Sequence, residues 1–90
     1  MSIPRTVEEN EILRRVGEKL KSLRLARKIT QEDLASDAGF SRSYYTEIET
    51  GKRNVSILNL YCLSQHLKIS LQELLTLDEG VAETDAIERD

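Results

Sequence analysis

The sequence predicts an all-α protein of five helices with no strand, and three observations carry that prediction. Apolar residues recur at three- and four-residue spacing through most of the chain. A serine or threonine stands before each such run, where its side-chain oxygen can accept from the free N–H groups of a first helical turn. Between Thr30 and Arg53, two short capped runs are separated by Gly39 and only a few linking residues, which forces a sharp crossing.

Taken in order, Pro4 precedes Thr6, which with Glu9 spells a capping box, so a long first helix runs over about residues 7–27. Leu13, Val16, Leu20 and Leu23 form its buried stripe with Ile12 at the margin, and Gly17 inside it implies close approach of another helix. Ile29 closes the link. Thr30 caps a second helix starting at Gln31, and Asp33 is placed to complete a second box. Leu34, Ala35 and Ala38 are its apolar face, and Gly39 supplies a left-handed end. Phe40 fills the corner, and Ser41 caps a third helix starting at Arg42. Periodicity turns Tyr45, Ile48 and Glu49 inward and leaves Arg42, Ser43, Thr46 and Glu47 outward, with Tyr44 at the edge.

Beyond Gly51 a loop of Lys52, Arg53, Asn54 and Val55 leads to Ser56, the cap of a fourth helix with Leu60, Leu63 and Leu67 on one face. Ser70 with Glu73 opens a fifth, carrying Leu71, Leu74, Leu75 and Leu77. From Asp78 onward the chain is acidic and poor in large apolar residues. The expected organisation is an N-terminal arm over residues 1–5, a folded domain over 6–77 and a flexible acidic tail over 78–90.

Composition limits the function. Ninety residues, 39% hydrophobic and 32% charged, describe one soluble domain with a modest core. No run approaches bilayer length and no signal-peptide core is present, so a cytoplasmic protein without membrane contact is expected. The single Cys62 excludes an intramolecular disulfide or a cysteine-cluster metal site and is expected to be a buried thiol. His66 is the one histidine of the chain and is expected to lie on the surface and not to bind a metal. With no Gly-rich phosphate loop and no nucleophile–base pair, neither catalysis nor a cofactor is expected, and no second folded region offers a small-molecule effector site. The net charge of −3 is uneven. Residues 78–90 hold six acidic residues against Arg89, a local −5, which leaves +2 on residues 1–77. Arg14, Arg15, Lys19, Lys21, Arg24, Arg27 and Lys28 concentrate positive charge on the first helix, and Lys52 and Arg53 follow the third.

Two short capped helices hinged at a glycine, the second with a polar outer row, form a helix-turn-helix and point to major-groove recognition of double-stranded DNA. Residues 13–77 resemble the compact five-helix, lambda-repressor-like DNA-binding domain of the Xre type. Within them Arg42-Ser43-Tyr44, Ile48-Glu49 and the run Arg-Asn-Val-Ser-Ile at 53–57 resemble restriction-modification controller proteins. The resemblance implies that Gln31 holds a phosphate and buttresses a recognition side chain. Arg42 and Ser43 occupy the first reading positions, where an arginine fork matches guanine O6 and N7. Tyr44 is implied as a groove or backbone contact, Thr46 as a partner for a thymine methyl, and Glu47 as an acceptor from a cytosine amine or a charge that repels wrong phosphates. Lys52, Arg53 and Asn54 are expected phosphate ligands, and Arg24 with Glu49 a structural salt bridge.

The expected function is that of a sequence-specific transcriptional regulator binding a pseudo-palindromic operator as a homodimer, with an antitoxin that represses its own operator as the alternative. A single recognition helix spans few base pairs, so two domains are needed. Leu71, Leu74 and Leu75 on the fifth helix are the expected dimer interface, being more leucine than one core-facing stripe requires.

Overall fold

A computed structural model of the chain describes residues 3–77, so the acidic tail expected over 78–90 lies outside the described residues. Five helices and no strand are present among them: α1 (Val7–Ala26), α2 (Gln31–Ala38), α3 (Arg42–Glu49), α4 (Ile57–His66) and α5 (Leu71–Leu74). Every helix begins after the expected cap. Thr6, Thr30, Ser41, Ser56 and Ser70 all have extended backbones, and each side chain accepts from the N–H three residues on.

Only the first cap is a full box, with the Glu9 side chain accepting in return from the Thr6 N–H. At Thr30 and Ser70 the expected boxes are one-way caps. Asp33, one methylene shorter than glutamate, does not return the bond, and neither does Glu73. α1 ends one residue before the expected Arg27, which is its C-cap, and Lys28 follows in the left-handed region at φ 59°. Gly39 ends α2 at φ 82°, a backbone that glycine adopts at no side-chain cost.

The core lies where α1, α2, α3 and α4 meet, with α5 closing it against α4 and α1. Its largest fully enclosed apolar side chains are Leu20, Leu34, Tyr45, Ile48, Leu63, Leu67 and Leu74. Leu13 and Ile12 lie less deep than the stripe implied. Leu13 is half-buried and Ile12 is exposed. Cys62 is half-buried rather than enclosed, and its thiol donates to the Ala38 carbonyl at 3.7 Å.

α5 is a single turn, and this corrects the leucine count. Leu74 is 0% exposed, so its side chain belongs to the core and is not available to a partner. Leu71 is half-buried against the same cluster, and Leu75, 37% exposed, is the one of the three that reaches solvent freely. Four residues make one turn, so Leu71 and Leu74 share the inward face while Leu75 turns away.

Gly17 sets how closely α1 crosses α3. A Cβ there would sit within 2.6 Å of the Ile48 carbonyl oxygen and closer still to that of Glu49, both backbone atoms with no room to yield. Gly17→Ala is therefore expected to lower stability by about 1–3 kcal/mol through overpacking, although alanine favours helices; thermal unfolding by circular dichroism checks it. Unchanged or higher stability would show that α1 and α3 are not in this contact.

Candidate nucleic-acid interface

The arrangement of α2 and α3 is held by one carboxylate. Glu49, at the C-terminal end of α3, has a side chain only 2% exposed, and Arg24 opposite it on α1 is 8% exposed. Arg24 Nε donates to Glu49 Oε2 at 2.6 Å and Arg24 Nη2 to Oε1 at 3.2 Å, a two-pronged pair joining α1 to α3. The Tyr45 hydroxyl donates to Oε2 at 2.5 Å and Gln31 Nε2 to Oε1 at 2.8 Å. Each carboxylate oxygen thus accepts two hydrogen bonds. Arg24 Nη1 donates further to the Ile29 carbonyl at 2.8 Å, fixing the link into α2.

Burial alone would raise the Glu49 pKa, but the bonds from Arg24, Tyr45 and Gln31 outweigh it and hold the carboxyl below its ordinary value. The same Glu49 bond raises Arg24, while burial followed by the Glu49 bond pushes the Tyr45 phenol well up. The expected Arg24–Glu49 pair is therefore present, with Tyr45 as a third member that periodicity assigned only to the core.

On the outer side of α3, Arg42 and Ser43 are exposed, and Arg42 makes no ion pair among the described residues. Thr46 is half-buried, and its hydroxyl donates to Gln31 Oε1 at 3.2 Å. Tyr44 is likewise half-buried, edge-on to Phe40 with ring centroids 5.2 Å apart, and its hydroxyl accepts from Asn59 Nδ2 at 2.8 Å. That bond leaves the phenolic proton free to donate. The Arg53 guanidinium lies 5.1 Å from the Tyr44 ring centre and donates twice to Glu47 Oε1, at 2.7 and 3.1 Å.

Glu47 is therefore turned to Arg53, not presented alone, and the Arg53 charge is partly offset. Lys52 and Asn54 are exposed on the loop beyond α3. The loop is tied to the N-terminal arm by Arg5, whose Nη2 donates to the Lys52 carbonyl at 3.3 Å and whose Nε donates to Asn10 at 2.9 Å. Neither Arg5 nor Asn59 was singled out from the sequence, since both act across folds of the chain that spacing does not reveal.

The positive stretch on α1 is smaller than its residue count. Arg14 pairs with Glu11 and Glu18, and Arg15 with Glu11, at helical i, i+3 and i, i+4 spacings. The Arg14 hydrogen bonds hold the Glu11 carboxyl down at about 2. Lys19 donates to the Thr76 carbonyl, and Arg24 is committed to Glu49. Lys21, Arg27 and Lys28 remain exposed on α1 and its end, with Lys52 beyond α3.

No helix among the described residues is long and apolar enough to cross a membrane, and none of those residues form a His, Cys, Asp and Glu group suited to a metal.

Comparison with known proteins places this geometry. A helix-turn-helix domain family model matches residues 17–80. The control protein C.MunI of a Mycoplasma species is 46% identical over 68 residues, covering 74% of this chain and 92% of that protein. The control protein C.BamHI of Bacillus amyloliquefaciens is 36% identical over 67 residues, covering 73% and 83% respectively. Among solved structures, the restriction-modification controller protein C.AhdI from Aeromonas hydrophila superposes with a TM-score of 0.67 at 42% identity, covering 69% of this chain and 94% of that one.

The buried pair yields a test with a defined sign. Removing one partner of a buried ion pair leaves the other unpaired, so Glu49→Gln should cost about 3–5 kcal/mol. Because the folded pKa of Glu49 lies below the unfolded one, its stabilisation is present above the ordinary glutamate value of about 4.3 and is lost as pH falls below it. Urea unfolding across pH 3–7 should show that acid-dependent loss in the wild type and a weaker one in Glu49→Gln. Parallel pH profiles would remove Glu49 as the source.

Proposed function

The chain belongs to the helix-turn-helix domain family, and on that premise we propose that it is a sequence-specific, DNA-binding transcriptional regulator of the restriction-modification control type. The observation that carries the proposal is the pairing of a locked inner face with an open outer one. α3 is pinned from beneath by Arg24, Tyr45 and Gln31 on Glu49, while Arg42 and Ser43 at its N-terminal end stand exposed. A helix held this firmly presents its side chains to base edges with little ordering cost on binding.

In this reading Arg42 takes guanine O6 and N7, and Ser43 reads beside it. Tyr44 donates its free phenolic proton to a phosphate, and Lys52, Arg53 and Asn54 hold the backbone next to it. Gln31, with one amide N–H spent on Glu49, offers the other to a phosphate at the start of α2. Glu47 serves chiefly to aim Arg53. The arm over residues 1–5 and the domain over 6–77 form the binding unit, and the −5 carried by residues 78–90 discourages nonspecific contact with DNA. The reading gives the protein no catalytic step, cofactor or effector, and a cytoplasmic location.

Two copies supply the specificity that one α3 cannot. We assign their contact to Leu75 together with the outer face of α4, where Ile57, Leu58 and Tyr61 share one side of the helix and Leu58 is 73% exposed. α4 packs against α5, which joins the two elements that carry these exposed side chains.

Three measurements check the proposal. With an operator selected from a randomised duplex pool, Arg42→Ala should cost about 1–3 kcal/mol and relax the preference at one base pair per half-site, whereas Lys52→Ala should weaken all sequences alike. Equal losses on cognate and scrambled duplexes for Arg42→Ala would reduce Arg42 to a phosphate ligand. Affinity should also fall with salt by about 0.9 log units per log unit for each phosphate neutralised, and a salt-independent affinity would contradict the mechanism. For assembly, Leu58→Glu should give helical monomers by sedimentation that lose about 2 kcal/mol or more of operator binding. Persistence of the dimer in both Leu58→Glu and Leu75→Glu would place the contact elsewhere.

A further inference from the structure

The hydrogen bonds running from Glu49 to the outer face of α3 have a fixed direction, and that direction limits what one side chain can read. An ionised carboxylate only accepts, so the Gln31 amide must turn its nitrogen to Glu49 Oε1, 2.8 Å away. Its oxygen is then the atom facing Thr46, and an amide oxygen also only accepts. The proton in the 3.2 Å contact between Thr46 Oγ1 and Gln31 Oε1 must therefore come from the threonine. Thr46 has one hydroxyl proton, and it points inward. What remains for a ligand is a pair of oxygen lone pairs and the γ-methyl. Thr46 lies one turn beyond Arg42 and Ser43 on the same side of α3 and is half-exposed there.

We infer that Thr46 is a specificity-determining residue that reads the operator only as a hydrogen-bond acceptor. It selects a base whose major-groove edge offers an exocyclic amine, the N6 of adenine or the N4 of cytosine. Guanine O6 and N7 and thymine O4 are acceptors, and opposite Thr46 they would set lone pairs against lone pairs. Turning the hydroxyl outward to serve them would leave Gln31 Oε1 without its donor and loosen the side chain that also bonds Glu49. The buried ion pair thus reaches the base through two relayed hydrogen bonds. The inference rests on α3 being the groove-reading helix. It goes further than the methyl contact expected of Thr46, because the polarity of the hydroxyl, and not the shape of the side chain, makes the choice.

The test is the base preference of wild type, Thr46→Val and Thr46→Ser on the selected operator. At each half-site position adenine is replaced by purine, or cytosine by 2-pyrimidinone, which removes the exocyclic amine alone. Circular dichroism confirms the helicity of each variant. Loss of the amine at one position should weaken the wild type and Thr46→Ser about fivefold, the worth of one hydrogen bond, and leave Thr46→Val unaffected. Thr46→Val, which keeps the shape and a methyl, should accept all four bases there. The inference is overturned if Thr46→Val retains the full preference, or if the position that depends on Thr46 selects guanine or thymine through an acceptor edge. A uniform weakening of Thr46→Val on every sequence also overturns it, because the residue would then act only by supporting Gln31. If the wild type selects no sequence at all, the DNA-reading function itself fails, a result distinct from the other three.

Discussion

A single negative charge buried at the end of α3 is the constraint on which the rest of this molecule depends. Taking a carboxylate out of water costs several kcal/mol unless its lone pairs are filled, and here four donors from three helices converge on two oxygens. Arg24 comes from α1, Gln31 from α2 and Tyr45 from α3 itself. None of these donors can move without uncovering the charge, so the angle between the two helices of the helix-turn-helix is set by electrostatics as well as by packing. Apolar contacts alone, among Leu34, Ala35 and Ile48, would hold the helices together while allowing small rotations.

The close crossing at Gly17 serves the same arrangement. With no Cβ between α1 and the carbonyls of Ile48 and Glu49, the backbones come near enough for Arg24, two turns further along α1, to reach Glu49 with both prongs. The outer face inherits this order. Gln31 is oriented by Glu49, Thr46 by Gln31, and Arg53 by Glu47 and the Tyr44 ring. Arg42 and Ser43, by contrast, stand clear of the network, a side chain with a full set of donors beside one with a short hydroxyl. The face therefore combines preset groups with free ones, which suits a surface that must both position itself on a backbone and discriminate among bases.

Much of the fold was legible because it is written locally. Cap residues, helical periodicity and a glycine in the left-handed region act over three or four positions, and Thr6, Thr30, Ser41, Ser56, Ser70 and Gly39 are all where those rules put them. The inward turn of Glu49 was legible for the same reason. Interactions decided by register between distant segments were not. Counting basic residues on α1 overstated its free charge, since Glu11 lies one turn before the counted stretch and takes Arg14 and Arg15. Leucine content on α5 could not say which leucine faces outward, because a single turn has too few residues for periodicity to divide. Asn59 on Tyr44 and Arg5 on the Lys52 carbonyl join positions far apart in sequence and left no mark in it.

Glu49 is ionised in the folded protein, and its charge orients Gln31 and, through it, Thr46. The most direct measurement is the carboxyl carbon chemical shift of Glu49 followed by NMR through an acid titration of the folded chain. With the carboxyl held below its ordinary value, this carbon should keep its ionised shift as the pH falls below the ordinary glutamate value of about 4.3, until the fold itself gives way. A Glu49 that titrates at or above that value with the fold intact would be a neutral acid in the core. The orientation of Gln31 and the inward proton of Thr46 would then lose their basis.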